Sequence, residues 1–195
     1  MILNNFQIVF CSGRIVQISS GAAPMFVKKC SQEIQAFFVD KDVTWTEIEK
    51  TIITPFLTIS EDPSLDAEKK SAALTNIGLC DGGMGAYGMS KACVNAYTLE
   101  LSKRFPSLLI NSCSPGFIET DLTRPFAKNA GKSPDEMGML PVEKGTVAAN
   151  YLIMGDLEAD IAGYESGRYY GSDGKWSPFH KYRSPGDPTY DGKFP

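Results

Sequence analysis

Short apolar runs alternate with amphipathic segments along this chain of 195 residues. The run "GRIVQISS" (13–20) is rich in β-branched residues and lies between glycines, which predicts a buried strand. "LLINSCSPG" (108–116) and "SGRYYGSDG" (166–174) predict two more short strands, and each of these runs ends in glycine. Because the intervening segments have helical spacing, the pattern predicts an α/β fold with a parallel sheet.

Helical signals fill the interval between the first two predicted strands. Ser31, Thr44 and Ser64 are predicted N-caps, because each precedes a segment with helical spacing. After a glycine-rich turn, "DGGMGAYG" (81–88), a longer helix is predicted from Tyr87 to Phe105, where Pro106 ends it. Its apolar residues recur at every fourth position and form a stripe: Met89, Cys93, Tyr97, Leu101 and Phe105.

The remainder of the chain carries weaker signals. A polar loop extends to about Pro141, and "VEKGTVAANYLIMGD" (142–156) predicts a further helix. The last twenty residues are rich in proline and glycine and lack periodicity. They predict an irregular tail or a flap over a site.

Composition excludes several classes of protein. A net charge of −4 and a pI near 5.1 argue against general binding to nucleic acid or to anionic membranes, which both require clustered positive charge. The apolar runs are far shorter than the roughly 20 residues that span a bilayer. The first ten residues, "MILNNFQIVF", lack the basic start of a signal peptide. These features predict a cytoplasmic protein that binds neither nucleic acid nor membrane.

The cysteines and the single histidine argue against two kinds of metal site. Five cysteines are scattered without a C-x-x-C pair, which predicts reduced thiols rather than a disulfide framework or a zinc site. His180 is the only histidine and is predicted to be a solvated residue of the tail. No metal site is expected, although carboxylates without a recognisable spacing remain an alternative.

Tyr87 and Lys91, in "AYGMSK" (86–91), are the strongest candidates for chemistry. Four residues apart on a helix, they share one face, with their Cβ atoms about 5–6 Å apart. A nearby ammonium favours a phenolate, so such a pair suits proton transfer to an oxygen that gains negative charge. With eight tyrosines in the chain, a lysine at this spacing arises by chance about half the time. An ordinary helical surface is therefore the alternative.

Two neighbouring segments strengthen the functional interpretation. The strand before the pair ends in Ser19-Ser20, and the strand after it ends in Pro115-Gly116. If both strands are parallel, these residues meet at one edge of the sheet. A hydroxyl, a phenol and an ammonium then converge.

Two other motifs are weaker. Gly83-Met-Gly85-Ala-Tyr-Gly88 satisfies G-x-G-x-x-G, but no convincing strand precedes it and no carboxylate ends a second strand about 20 residues later. These glycines are assigned to a flexible turn that positions Tyr87. A serine hydrolase is disfavoured because no G-x-S-x-G occurs and His180 lies in the irregular tail.

Taken together, the motifs resemble the short-chain dehydrogenase/reductase family. The matching segments are "GRIVQISS" (13–20), "YGMSK" (87–91) with "ACVNAYTLELSKRF" (92–105), "INSCSPGFIETDL" (110–122) and "SGRYYGSDG" (166–174). Their order and spacing are similar to the second half of that family. The resemblance implies the C-terminal part of a doubly wound, Rossmann-type parallel sheet.

The resemblance also implies roles for individual residues. Ser20 would hydrogen-bond the substrate carbonyl or hydroxyl oxygen; a serine that caps the strand end is the alternative. Tyr87 would be the proton donor in reduction and the acceptor in oxidation, and Lys91 would assist it and bind the nicotinamide ribose. Contacts with the nicotinamide end of the cofactor are implied for the "PGxxxT" residues Pro115, Gly116, Ile118 and Thr120. A simple turn after the strand is the alternative for this segment.

The implied organisation is a partial reductase domain over residues 1–174, with a helical insertion and turn over 21–86 and a tail over 175–195. An insertion of this kind is similar to the one in the carbonyl-reductase-like subgroup. This resemblance implies a monomer and an NADP cofactor, with NAD as the alternative. The family's glycine-rich phosphate-binding turn and catalytic asparagine have no counterpart in the sequence, so the resemblance is to a truncated form with poor dinucleotide affinity.

Two functions remain open from the sequence. The first is an NADP-dependent carbonyl reductase or alcohol dehydrogenase that acts on a small carbonyl or alcohol. The second is a non-catalytic fragment or pseudoenzyme that serves as a protein-interaction module, since the first strand is expected to present an unpaired edge.

Overall fold

The computed structural model describes residues 13–80, 85–155 and 166–194. The residues outside these ranges, among them Cys11, Gly83 and Asp156, are not described. The described strands are β1 (Arg14–Ile18), β2 (Leu109–Cys113), β3 (Tyr169–Tyr170) and β4 (Trp176–Ser177). The α-helices are α1 (Ala22–Val27), α2 (Gln32–Val39), α3 (Trp45–Ile48), α4 (Thr54–Glu61), α5 (Ala67–Asn76), α6 (Gly85–Arg104), α7 (Arg124–Ala130), α8 (Val142–Gly145) and α9 (Val147–Met154). A π-helical turn (Glu49–Ile53) joins α3 to α4, and a 3₁₀ turn (Asp135–Met137) follows α7.

The strands form one sheet in the order β1-β2-β3-β4. β1 and β2 are parallel, with Ile18 opposite Cys113, and β3 is parallel to β2, with Tyr169 opposite Ser112. The predicted α/β fold with a parallel sheet is therefore confirmed for these three strands. β4 was not predicted, and it pairs antiparallel with β3 at the edge.

Helices cover both faces of the sheet, as in a doubly wound fold. On one face, α6 packs against β2, and the insertion helices α1 and α2 pack against α6. On the other face, Ala148 and Leu152 of α9 pack against Cys113 of β2 and Tyr170 of β3. Arg14 joins α9 to the start of β1, since its guanidinium donates to the carbonyl of Gly155 at 2.7 Å.

Two of the three predicted N-caps are confirmed in the insertion. The Ser31 hydroxyl accepts from the Ile34 amide, and Thr44 and Glu47 form a reciprocal capping box. The prediction for Ser64 is wrong: α5 begins later, and the carboxylate of Asp66 accepts from the Lys69 amide at 2.9 Å. Asp and Ser are comparable N-caps, so the composition of the segment did not decide between them.

The long helix α6 agrees with the predicted span, but its buried face is broader than the predicted stripe. Met89 and Cys93 are buried, whereas Phe105 is 41% exposed. Small and polar residues on the adjoining face, including Ala96 and Asn95, are buried as well. The reason is that α6 lies between the insertion and the sheet, and the Asn95 side chain accepts from the Ser112 hydroxyl of β2 at 2.9 Å.

The C-terminal segment differs from the predicted irregular tail. It contains β4, and the Tyr190 amide donates to the carbonyl of Trp176 at 3.0 Å. His180, predicted to be solvated, is only 2% exposed. Aromatic packing orders this segment: Trp176 and Tyr190 lie 5.0 Å apart between ring centroids.

Candidate active site

A cavity of about 310 Å³ lies where the three parallel strands end. Its walls include Ser20 after β1, Gly116 after β2 and Ser172 after β3. Because parallel strands point their carboxyl ends to the same edge, the sheet topology brings these residues together. This is the edge at which ligands bind in open α/β sheets.

Ser20 lies in the cavity wall and accepts a hydrogen bond. Its hydroxyl oxygen accepts from the Ala22 amide at 3.2 Å, which fixes the side chain over the first turn of α1. This contact uses the oxygen only as an acceptor, so the hydroxyl hydrogen can still be donated. The observed geometry is therefore compatible with both the capping role and the substrate-binding role.

Lys91 connects α6 to the end of β1. Its ammonium donates to the carbonyl of Ile18 at 3.0 Å, and the Ser19 hydroxyl donates to the Lys91 carbonyl at 3.2 Å. The Lys91 ammonium lies 5.8 Å from the centroid of the Tyr87 ring. The predicted pair thus lies side by side, and Lys91 contacts the residue that precedes Ser20 by two positions. Tyr87 is 47% exposed and does not line the 310 Å³ cavity itself.

Ser114 organises the turns around the cavity, and the sequence motif did not single it out. Its hydroxyl oxygen accepts from the amides of Gly21 at 3.2 Å and Gly116 at 3.1 Å, which joins the turns after β1 and β2. Tyr169 in β3 contacts the same hydroxyl; burial raises the pKa of this phenol, and the hydrogen bond from Ser114 offsets part of that rise. Tyr169 is therefore a neutral wall of the cavity.

The "PGxxxT" residues occupy different positions around the site. Gly116 lines the cavity, while Ile118 is 7% exposed and forms a bridge with Leu140. Thr120 lies 3.2 Å from Thr123 between hydroxyl oxygens and is part of the turn that starts α7. Pro115 immediately precedes Gly116 and is half-buried. Only Gly116 of this group lines the cavity.

Arg183 closes the cavity from the C-terminal segment. It is buried, pairs with Asp173, and donates from Nε to the Ser177 hydroxyl at 2.9 Å. Its guanidinium also donates to the carbonyl of Asp187 at 2.9 Å. The C-terminal segment therefore forms part of the cavity wall. No periodic signal in the sequence could have located Arg183.

Gly116 is under both conformational and steric constraint. Its φ is +95°, and a Cβ there would lie 3.1 Å from Cβ of Ser172. We expect Gly116→Ala to lower the free energy of unfolding by about 2–4 kcal/mol, since left-handed backbone and an added methyl in a tight contact both cost energy. Urea denaturation measures this change.

Gly131 provides the matched control. It ends α7 with φ +64°, and a Cβ there would meet no atom within 4 Å. Gly131→Ala should therefore lower the free energy of unfolding by only about 1 kcal/mol, the cost of left-handed backbone in a residue with a Cβ atom. Equal losses for the two variants would contradict a steric contact between position 116 and Ser172.

The site residues fit one end of a nicotinamide dinucleotide. Gly116 offers a surface without a side chain beside Ser20, and the Lys91 ammonium is a donor at the same edge. The phosphates of a dinucleotide bind best at a glycine-rich turn that leads into a helix. In the described ranges, the turns after β1 and β2 contain one glycine each, Gly21 and Gly116. The described residues thus fit the nicotinamide and its ribose, and they do not form a phosphate cradle.

The residues that the structure describes show neither a metal-binding cluster nor a membrane-spanning helix. They contain no cluster of three or more His, Cys, Asp or Glu side chains that could hold a metal ion. Within the same ranges, no helix has the length and apolar character needed to cross a membrane.

Comparison with known proteins identifies similar sequences. No protein-family model matches the chain. Carbonyl reductase (NADPH) 1 of Macaca fascicularis is 28% identical over 136 residues, which cover 67% of this chain and 43% of that protein. Short-chain dehydrogenase/reductase 1 of Saponaria officinalis is 34% identical over 85 residues, or 44% of this chain and 23% of that protein. The chain therefore spans less than half the length of these curated relatives.

A solved structure supports the fold. Salutaridine reductase from Papaver somniferum superposes with a TM-score of 0.50 at 23% sequence identity. The match covers 82% of this chain and 45% of that one. The sheet and helices described above are thus a known α/β arrangement.

Proposed function

The chain belongs to the short-chain dehydrogenase/reductase family, and from that premise we propose that it serves NADP(H)-dependent reduction of a small carbonyl compound or oxidation of the corresponding alcohol. The observation that carries the proposal is the 3.0 Å hydrogen bond from Lys91 to the Ile18 carbonyl. It joins the Lys91 side chain to the end of β1, two residues before Ser20, and so supports a site at the edge where ligands bind in this fold. The named relatives include NADPH-dependent carbonyl reductases, which favours NADP over NAD.

Proton transfer is assigned to Tyr87. In reduction, its hydroxyl gives a proton to the carbonyl oxygen as that oxygen gains negative charge. The resulting phenolate is stabilised by the Lys91 ammonium, and the 47% exposure of Tyr87 lets solvent return the proton. In alcohol oxidation the same residue accepts the proton.

Ser20 and Lys91 complete the site. The Ser20 hydroxyl donates to the substrate oxygen, which orients the carbonyl and stabilises its developing charge. Lys91 and the segment Pro115, Gly116, Ile118 and Thr120 would hold the nicotinamide and its ribose. The chemistry that a bound nicotinamide cofactor supplies is hydride transfer to the carbonyl carbon.

The substrate is proposed to be apolar around its carbonyl group. Phe117 and Met25 both line the cavity, and they are 39% and 36% exposed. Farther along the loop after β2, Leu122 is 71% exposed. Exposed apolar side chains around a pocket are typical of small-molecule sites. An aromatic or aliphatic ketone or aldehyde is therefore the expected substrate class.

The direct test uses the recombinant chain. NADPH binding is followed by tryptophan quenching, and NADPH oxidation is followed by absorbance with a panel of ketones and aldehydes. Ketone-dependent oxidation supports the proposal. Binding without turnover of any compound in the panel would contradict the assigned substrate class, and no binding even at millimolar cofactor would rule out catalysis by this chain alone.

Replacing Lys91 tests the pair independently of Tyr87. Lys91→Met removes an ammonium and its hydrogen bond to Ile18, and we expect kcat/KM to fall about 10- to 100-fold, as for the loss of one charged hydrogen bond. Lys69→Met is the control, because Lys69 is 66% exposed on α5 and forms only a surface ion pair. Equal activity of the two variants would argue against a role for Lys91.

A non-catalytic interaction module is a second candidate, and β1 favours it. Ile15 and Ile18 of this strand are 41% and 50% exposed, and β1 pairs on one side with β2 in the described part of the chain. An apolar strand edge is a template for pairing with another chain. Sedimentation of the 21.3 kDa chain and, separately, of its Ile18→Lys variant tests self-association through β1. If both proteins are monomers, β1 does not mediate self-association.

A further inference from the structure

A second pocket, of about 420 Å³, lies at the opposite end of the sheet from the candidate active site. It is bounded by Ser166 and Gly167 before β3 and by Leu99 and Lys103 near the end of α6. Lys103 comes twelve residues after Lys91, which is about 18 Å along the helix axis. The volume is within the range of small-molecule sites, and the pocket shares no lining residue with the cavity at the strand ends.

Aromatic rings from the C-terminal segment form much of this pocket. The aromatic lining residues are Trp176, Phe179, His180, Tyr190 and Phe194. The His180 ring meets Phe194 edge-on at 4.9 Å and Tyr190 at 5.8 Å between centroids. Such a set of rings favours a flat apolar or aromatic guest.

His180 is the buried, unpaired polar group of the pocket. It is 2% exposed, and neither ring nitrogen has a hydrogen-bond partner among the residues that the structure describes. Burial, and to a lesser degree Lys181, lowers the pKa of this imidazole, so the ring is neutral, with one N–H donor and one acceptor. Unsatisfied buried polar groups are rare in native proteins. A ligand oxygen that accepts a hydrogen bond from the His180 N–H would remove the free-energy cost of burying this group unpaired.

The charged lining residues all carry positive charge. They are Lys41, Lys103 and Arg168, and none of the described lining residues is acidic. The Arg168 guanidinium stacks over Trp176 at 3.9 Å from the ring centroid. Lys103 contacts Asp42 at 3.3 Å, but this carboxylate is 94% exposed, so the pair is weak and Lys103 can turn to a ligand. The pocket therefore attracts anions.

We propose that this pocket binds an aromatic carboxylate. The rings hold the aromatic body, the His180 N–H donates to the carboxylate, and the two lysines balance its charge. The site is independent of the proposed reductase activity, since the two sites share no lining residue.

Calorimetric titration with 2-naphthoate tests the proposal, with 2-naphthamide as the neutral analogue of the same shape. We expect the carboxylate to bind at least about tenfold more tightly than the amide, as for one charged hydrogen bond. Equal binding of the two compounds, or no heat from either up to about 5 mM, would overturn the proposal. The readout does not depend on NADPH or turnover, so failure of the reductase assay leaves it unchanged.

Variants locate the binding. Lys41→Gln with Lys103→Gln should weaken naphthoate binding about 3- to 10-fold, the effect of two exposed charges. Lys128→Gln with Lys132→Gln, two exposed lysines at the end of α7, should have no effect. His180→Phe should weaken binding about tenfold, because it removes the N–H that donates to the carboxylate. The variant should stay folded, because the substitution removes an unpaired buried polar group. If His180→Phe only raises the melting temperature and leaves binding unchanged, His180 is a core residue and the proposed site is wrong.

Discussion

Replacing Tyr87 by phenylalanine is expected to lower the rate of NADPH-dependent carbonyl reduction by about 10²- to 10⁴-fold, the usual contribution of a positioned general acid. The substitution removes one hydroxyl and keeps the ring against which Lys91 lies. Cofactor affinity and the unfolding midpoint should therefore change little. Initial rates of NADPH oxidation, with cofactor binding measured separately, check this result.

Tyr97 supplies the matched control on the same helix. It is half-buried and packs edge-on against Trp45 at 5.1 Å, in the insertion and away from the strand ends. Tyr97→Phe should keep nearly full activity. A Tyr87→Phe variant that retains more than about a tenth of the activity would exclude Tyr87 as the proton donor and leave Ser20 or solvent in that role.

Replacing Arg183 by methionine is expected to give the largest loss of stability among these variants, about 3–5 kcal/mol, because it leaves Asp173 partly buried without its cation. Arg183 is 6% exposed at its side chain and Asp173 19%. The same change removes the hydrogen bonds that hold Ser177 and the Asp187 carbonyl. Urea denaturation measures the loss. Arg124→Met, which breaks two exposed ion pairs, should cost less than about 1 kcal/mol.

The pH dependence of this loss has a defined sign. Burial alone would raise the pKa of Asp173, but the hydrogen bonds from Arg183, Gly186 and Lys175 outweigh it and hold the pKa below its ordinary value. A carboxyl whose pKa is lower in the folded state than in the unfolded state stabilises the fold. This stabilisation is fully present above the unfolded-state pKa of about 3.9, and it is lost as the pH falls through the folded-state pKa. In Arg183→Met the unpaired carboxylate accepts a proton more readily. The difference in free energy of unfolding between the parent chain and Arg183→Met should therefore narrow below about pH 4. A difference that does not change with pH would contradict the ion pair.

Local sequence signals predicted the elements whose formation depends on neighbouring residues in the chain. Pro106 and the helical spacing located α6, and short apolar runs that end near glycine located β1 and β2. The Ser31 and Thr44 caps were predicted because a cap is a contact over three residues. At α5 two good caps stood close together, and the Asp66–Lys69 contact decided the start of the helix.

Burial was harder to predict, because it depends on what packs against an element. The apolar stripe of α6 described one buried face, but the helix is covered from two sides, so Ala96 and Asn95 are buried too. His180 and Arg183 lie in a segment without periodicity, and their burial follows from the packing of β4 and its aromatic neighbours. No pattern in the sequence indicates such long-range contacts.

The sequence by itself determined the fold class, the family resemblance and the pairing of Tyr87 with Lys91. Spacing of four residues on a helix decides which side chains are neighbours. The sequence also located Ser20 and Gly116 at strand ends. Only the tertiary structure decided that Lys91 reaches the Ile18 carbonyl, that Ser114 joins two turns, and that the C-terminal segment closes one pocket and builds another. These contacts join residues far apart in sequence, so they depend on sheet register and core packing rather than on local propensity.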